Sequence, residues 1–171
     1  MDRILIHKVH GEQSIMQLSN IISSNAVVPN LKASSKRQLL QELAQEGARI
    51  SGLESQVIFE TLLRRGKLGS TGLGQGIAIP HGKFQALDKV YGLFARLASP
   101  VKFDSVDDNP VDLVFLLLAP ESAGADHLKA LARISRLLRD ATVVEKLRGT
   151  DKAEGLYAIL TEPAATATHA A

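Results

Sequence analysis

The feature that most constrains the fold is the apolar run from Val111 to Leu118, which reads Val-Asp-Leu-Val-Phe-Leu-Leu-Leu. Pro110 and Pro120 bound this run, and its length is that of a β-strand, well short of the ~20 apolar residues that span a bilayer. A strand with so few polar positions has to be covered on both faces. The run therefore predicts a central strand in a sheet with helices on either side.

The remaining periodicity predicts helices before, between and after several further strands. Strands are expected over residues 26–31, 76–81 and 90–98, with 101–103 as a short piece. Apolar residues at helical spacing predict a short turn and five helices, over residues 14–22, 34–47, 51–66, 124–140, 142–147 and 152–160. This succession predicts a single layered domain of the α+β or α/β class. Its mixed β-sheet is flanked by helices on both faces, as a three-layer α/β/α arrangement.

Composition limits the classes of function that the chain can serve. Of its 171 residues, 45% are hydrophobic and 22% are charged, which is enough for a true hydrophobic core. Aromatic residues make up only 4% and the formal net charge is +2, so neither base stacking nor a phosphate-backbone footprint is indicated, and we expect no nucleic-acid partner. The absence of cysteine excludes disulfides, thiolate catalysis and thiolate metal sites.

The two ends of the chain differ in character from the middle. Residues 1–13 have no clear periodicity and are expected to form a flexible N-terminal extension, whereas 14–162 form the domain. Residues 163–171 are rich in alanine and threonine and are expected to be a disordered C-terminal tail. Because the N-terminus lacks the apolar core of a signal peptide, we expect a cytoplasmic protein without membrane insertion.

A glycine- and hydroxyl-rich loop that leads to a histidine is the most informative feature for function. Residues 70–84 read Ser-Thr-Gly-Leu-Gly-Gln-Gly-Ile-Ala-Ile-Pro-His-Gly-Lys-Phe. The loop is not a Walker A motif, because Gly-Lys-Ser/Thr is missing, and it is not a dinucleotide fingerprint, because it leads into a strand. Its backbone N–H groups and its hydroxyls predict instead a concavity for a tetrahedral anion.

His81, between a proline and a glycine, is the candidate nucleophile. A neutral imidazole titrates near physiological pH and can accept a phosphoryl group and pass it on, which needs neither a metal nor a cofactor. We therefore predict no metal site and no cofactor. From the residues alone, the alternative is a structural histidine at the end of a strand. Lys83 and Phe84 are candidates for the rim of the site.

Several segments of the sequence resemble a known family. Residues 69–82, together with Phe103-Asp104 and the segments 110–115, 120–121 and 127–131, closely resemble the fructose/mannitol-type enzyme IIA of the bacterial phosphotransferase system. Within that family they are most similar to its nitrogen-regulatory members. The resemblance extends from about residue 27 to residue 160.

The resemblance implies three catalytic residues. His81 corresponds to the phosphorylated histidine, which reacts through Nε2. Arg65, sixteen residues before it, corresponds to the family's arginine, and His127 to its second active-site histidine. A guanidinium suits phosphate oxygens, and an imidazole near a helix N-terminus can donate a hydrogen bond to an anion. One alternative is that Arg65 is only a cation at the C-terminus of its helix and that Arg64 is the arginine of the site. Another is that His127 is a surface histidine in the first turn of its helix.

The loop itself supplies the candidates for binding the phosphate, which are Ser70, Thr71 and Gly72. The alternative for Ser70 and Thr71 is that they only shape the turn.

The function implied is a phosphoryl carrier of the nitrogen-type phosphotransferase system. It would accept its phosphoryl group from a histidine-containing phosphocarrier protein and control regulatory target proteins by its phosphorylation state. The close alternative is an enzyme IIA of a fructose or mannitol transport system that relays phosphate to a IIB domain. A third hypothesis is a module that binds an anion without covalent chemistry.

Overall fold

The computed structural model describes residues 17–68 and 71–162 of the chain. The predicted N-terminal extension, the predicted C-terminal tail and Ser70 lie outside these residues.

The described residues form one mixed sheet, as the sequence predicts. Its strands are β1 (Ile22–Leu31), β2 (Gly72–Gly74), β3 (Ile77–Ala78), β4 (His81–Phe84), β5 (Tyr91–Val101) and β6 (Val111–Pro120). The order is β1-β5-β6-β3-β2, and β4 also pairs with β6. The pairs β1 with β5, β3 with β6 and β4 with β6 are parallel, while β5 with β6 and β2 with β3 are antiparallel.

The predicted central strand is β6, which pairs with β3, β4 and β5. Nine of its ten residues are buried, as expected for a strand that is covered on both faces. β1 lies at one edge of the sheet, where Pro29 is tolerated because the outer side of the strand needs no ladder hydrogen bond.

Five helices accompany the sheet. They are α1 (Lys36–Ser51), α2 (Ser55–Leu68), α3 (Ala125–Leu138), α4 (Ala141–Arg148) and α5 (Ala153–Leu160), with 3₁₀ turns at Leu18–Asn20 and Glu121–Ala123. The Ser35 hydroxyl accepts a hydrogen bond of 3.1 Å from the backbone N–H of Gln38 and so caps the N-terminus of α1. Most helix ends lie within a few residues of the predicted positions.

The helices form layers on the two faces of the sheet. A Cβ atom on Gly47 of α1 would lie 3.2–3.3 Å from Leu116 and Leu118, so these alternate residues of β6 face α1. Phe115, on the opposite face, lies with Ile21 beside Gly92. The 3₁₀ turn Leu18–Asn20 packs against α3, and α3 packs against β6. The arrangement is the three-layer α/β/α fold that the sequence predicts.

Two expected strands differ in detail. The segment 76–81 is not one strand but two, β3 and β4, separated at Ile79 and Pro80. The expected strand at 101–103 ends at Val101, the last residue of β5. Among the helices of residues 17–68 and 71–162, none has the length and apolar character needed to cross a membrane.

Candidate functional site

The break between β3 and β4 positions His81 in the middle of the sheet. Ile77 pairs with Leu113 and His81 pairs with Leu117, so both strands keep the same register against β6. Across the break, the carbonyl of Pro80 accepts a hydrogen bond of 3.0 Å from the N–H of Leu117. Proline contributes no N–H, and the chain therefore crosses the gap without a complete ladder.

The backbone of Ile79 connects His81 to the glycine loop. Its N–H donates to the carbonyl of Thr71 at 2.9 Å, and its carbonyl lies 2.8 Å from Nδ1 of His81. A carbonyl oxygen can only accept, so Nδ1 carries the proton. In the neutral ring, Nε2 then has the free lone pair, and the side chain is half-exposed. Nothing in the sequence marked Ile79 for this role beyond its place two residues before the histidine.

His127 is the nearest described ring to His81. The two ring centroids are 5.6 Å apart and the rings are tilted by 48°. His127 lies in the first turn of α3 and is only 5% exposed, so it is not the surface histidine that the sequence left as an alternative. Its Nδ1 atom is buried and has no hydrogen-bond partner among the described residues.

Both imidazoles are in surroundings that disfavour a positive charge. Burial lowers the pKa of His81 below its usual value, a hydrogen bond from Nδ1 to Ile79 opposes this, and the Arg65 charge lowers the pKa further. Burial also lowers the pKa of His127, and the charges of His81 and Lys83 act in the same direction. At neutral pH both rings are therefore neutral, which is the state in which His81 is nucleophilic.

Arg65 is the arginine that the structure brings to His81. It lies near the end of α2, is half-buried, and acts electrostatically on the imidazole. Arg64, the rival in the sequence, is exposed.

β4 presents its side chains alternately to the two faces of the sheet. A Cβ atom on Gly82 would lie 2.8 Å from Cγ2 of Thr61, so Gly82 faces α2. Phe84 shares that face and is buried, so the expectation that it lines the rim is wrong. Lys83 shares the other face with His81 and is exposed, as the rim prediction requires.

Residues 72–78 of the glycine loop form a β-hairpin. β2 pairs with β3, and the turn residues Gln75 and Gly76 have φ angles of 58° and 83°. Two positive φ values are typical of a tight hairpin turn and favour glycine. Gly72 is buried in β2, and a Cβ atom there would lie 3.1 Å from the Cα of Ser105. Packing against Ser105 therefore already requires a glycine at 72.

Distant side chains fix the hairpin turn. The N–H of Gln75 donates to Asp107 at 2.8 Å, and its carbonyl accepts from Nη2 of Arg148 at 2.6 Å. Arg148 also forms two hydrogen bonds of 2.8 and 2.9 Å to Asp112, and its own carbonyl accepts from Arg96 at 2.9 Å. Sequence reasoning missed this network because the partners are separated by 32 to 73 residues.

The described residues include no group of three histidine, aspartate or glutamate side chains placed to bind a metal ion. The chemistry that the arrangement can perform is that of a neutral imidazole with one free nitrogen, next to a guanidinium and a second imidazole.

Comparison with known proteins identifies the family. A model described as "Phosphoenolpyruvate-dependent sugar phosphotransferase system, EIIA 2" matches residues 20–162. The nitrogen regulatory protein of Bradyrhizobium diazoefficiens is 55% identical over 152 residues, which cover 89% of this chain and 99% of that protein. The fructose-specific EIIA component from Haloferax volcanii is 36% identical over 125 residues, covering 73% and 80% of the two chains.

The fold agrees with that result. The crystal structure of nitrogen regulatory protein IIA-Ntr from Neisseria meningitidis matches with a TM-score of 0.80 at 39% identity, covering 84% of this chain and 99% of that one. The family resemblance seen in the sequence is thus confirmed.

Proposed function

Because the chain belongs to the EIIA 2 family of the phosphoenolpyruvate-dependent sugar phosphotransferase system, we propose that it is a phosphoryl carrier that reacts through Nε2 of His81. The observation that carries this proposal is the hydrogen bond of 2.8 Å between Nδ1 of His81 and the carbonyl of Ile79. It leaves Nε2 as the nucleophilic nitrogen of a half-exposed ring. The lowered pKa of His81 keeps that nitrogen unprotonated at neutral pH.

The donor is the phosphohistidine of a histidine-containing phosphocarrier protein. The Nε2 lone pair of His81 attacks phosphorus in line with the bond to the donor nitrogen. That bond breaks and its electron pair returns to the donor ring, which enters the step protonated on its other nitrogen and leaves as a neutral imidazole. One P–N bond replaces another, and the phosphorylated His81 ring keeps its Nδ1 proton on the Ile79 carbonyl. The product can pass the group on by the same step in reverse.

Arg65 and His127 stabilise the phosphoryl group as it arrives. The guanidinium has several donors in a fixed plane and suits the equatorial oxygens. The neutral His127 ring has one N–H to donate, and its place in the first turn of α3 favours an anion nearby. Ser70, Thr71 and Gly72 are proposed as further phosphate contacts, and the hydrogen bond between Thr71 and Ile79 supports this by bringing the loop to the histidine.

The output of the carrier is regulatory, and the protein works in the cytoplasm. Addition of a phosphoryl group changes the local charge by nearly two units, which can block one partner and recruit another. The support for a regulatory role is the 55% identity to a protein named nitrogen regulatory protein. The partners are accordingly a phosphocarrier protein and regulatory target proteins.

Sugar transport is the second candidate function. The observation that favours it is the 36% identity to a protein named fructose-specific EIIA component. In that case the phosphoryl group would pass to a IIB domain. A pull-down that compares the phosphorylated with the unmodified protein, with sugar uptake in a deletion strain, separates the two functions. State-dependent capture of regulators supports regulation, and lost uptake supports transport.

Phosphorylation itself is tested with phosphoenolpyruvate, enzyme I and the phosphocarrier protein. The wild-type chain is expected to acquire an acid-labile phosphate, and His81→Ala to acquire none while its circular dichroism spectrum stays unchanged. His169→Ala, which changes a histidine without an assigned role, is the matched control. No labile phosphate on the wild-type chain would favour a module that only binds anions, and an unfolded His81→Ala variant would favour a structural histidine.

A further inference from the structure

Lys83 stands beside the two histidines without a part in the proposed reaction. It is an exposed residue of β4, two positions after His81, so both side chains project from the same face of the strand. Gly82 between them faces Thr61 of α2 on the other side. The face of His81 and Lys83 is also the face of His127, whose ring centroid is 5.6 Å from that of His81.

Two cations from different elements act on the histidine pair. Arg65 acts on His81 from α2, and Lys83 acts on His127 from β4. Burial disfavours a positive charge on either histidine, so Arg65 and Lys83 supply positive charge that does not depend on protonation of the rings. The carboxylate of Asp126, next to His127 on α3, is exposed to solvent. A phosphoryl group on His81 would add nearly two negative charges to the histidine pair on which both cations act.

We propose that Lys83 sets the extent to which His81 is phosphorylated, because its ammonium, on the same face of β4 as His81, stabilises the phosphoryl dianion. The proposal rests on the carrier function proposed above. Lysine suits this role, since its ammonium is a mobile point charge that stays in water until the anion is formed. Lys83 therefore affects how the phosphoryl group is distributed between the donor and this chain at equilibrium, whereas His81 is the nucleophile.

The test measures how one phosphoryl group partitions between two proteins. Isolated phosphorylated phosphocarrier protein is mixed with an equal amount of the full chain, and ³¹P NMR gives the phosphorylated fraction of each at equilibrium. Lys83→Ala is expected to shift the partition constant toward the donor by about threefold to tenfold, and by less in 1 M salt. Lys83→Arg keeps the charge and is expected to stay near the wild-type value. Lys32→Ala, which removes an exposed lysine just beyond β1 at the far edge of the sheet, is the matched control.

A second readout separates charge from structure. In Lys83→Ala the pKa of His127, followed by NMR, is expected to rise, and in Lys32→Ala it is expected to stay constant. A Lys83→Ala partition within twofold of wild type would overturn the proposal, as would an equal loss in Lys83→Arg. If the wild-type chain accepts no phosphoryl group at all, the carrier function itself has failed.

Discussion

At the level of single residues, the reactivity proposed for His81 depends on two different influences. The carbonyl of Ile79 fixes which nitrogen is protonated, and burial together with Arg65 keeps the ring from becoming charged. The Ile79 carbonyl is a backbone group that no substitution removes, whereas the Arg65 side chain can be replaced. The two contributions can therefore be separated by mutation.

Phosphoryl uptake is expected to fall as the pH is lowered, because protonation removes the Nε2 lone pair. The midpoint should lie below the usual histidine pKa of about 6.5, since burial and then Arg65 lower the pKa of His81. Arg65→Ala removes one of these effects and should move the midpoint to higher pH, with transfer at neutral pH slower by about tenfold to a hundredfold. Arg64→Ala, the exposed neighbour, is the control. Rates and NMR titrations that are the same for both variants would exclude Arg65 from the site.

At the level of elements, the strand that carries His81 depends on its contact with α2. Gly82 faces that helix so closely that a Cβ atom would lie 2.8 Å from Cγ2 of Thr61 and 3.3 Å from the ring of Phe84. The Thr61 hydroxyl donates to the carbonyl of Val57 at 2.8 Å, which ties the side chain to its own helix. The helix and the strand therefore have no room for a methyl group between them.

Gly82→Ala is expected to lower the free energy of unfolding by about 1–3 kcal/mol, as overpacking does in cores. Urea unfolding measures the loss. Gly149→Ala is the control, because the nearest atom to a Cβ there is 3.5 Å away. Thr61→Ser keeps the hydroxyl and removes the methyl, so that the double variant Thr61→Ser/Gly82→Ala should recover most of the stability. Failure of this rescue would show that the clash with Thr61 is not the cause.

The elements differ in how far the sequence alone predicts them. The central strand followed directly from the apolar run that ends at Leu118, since burial on both faces leaves a continuous apolar pattern. The hairpin did not, because its strands have only three and two residues and its turn is stabilised by Asp107 and Arg148 from distant parts of the chain. The pairing of His81 with His127 likewise depends on tertiary packing, and only family resemblance suggested it.

At the level of the whole molecule, keeping two histidines neutral affects stability as well as the proposed reactivity. The folded pKa values of His81 and His127 are lowered, so the unfolded chain binds more protons in mildly acidic solution. The free energy of unfolding must then decrease as the pH falls through about 6.5, and the effect levels off below the folded pKa values.

His127→Gln removes one of the two groups and should flatten this dependence. Urea midpoints at pH 7.5, 6.5 and 5.5 are compared for the variant and the wild type, so that the slope is read independently of any overall change in stability. His169→Ala serves again as the control. Equal slopes for His127→Gln and the wild type would show that the buried ring is already charged at the lower pH.

The acceptor for the Nδ1 proton of His81 is a main-chain oxygen two positions earlier. Every amino acid has such an oxygen, so no replacement at position 79 deletes it. Evolutionary drift in the surrounding side chains can alter how fast, how fully and with whom the proposed carrier would exchange its phosphoryl group. The choice between the two ring nitrogens depends instead on the path of the main chain, which a replacement at position 79 leaves in place.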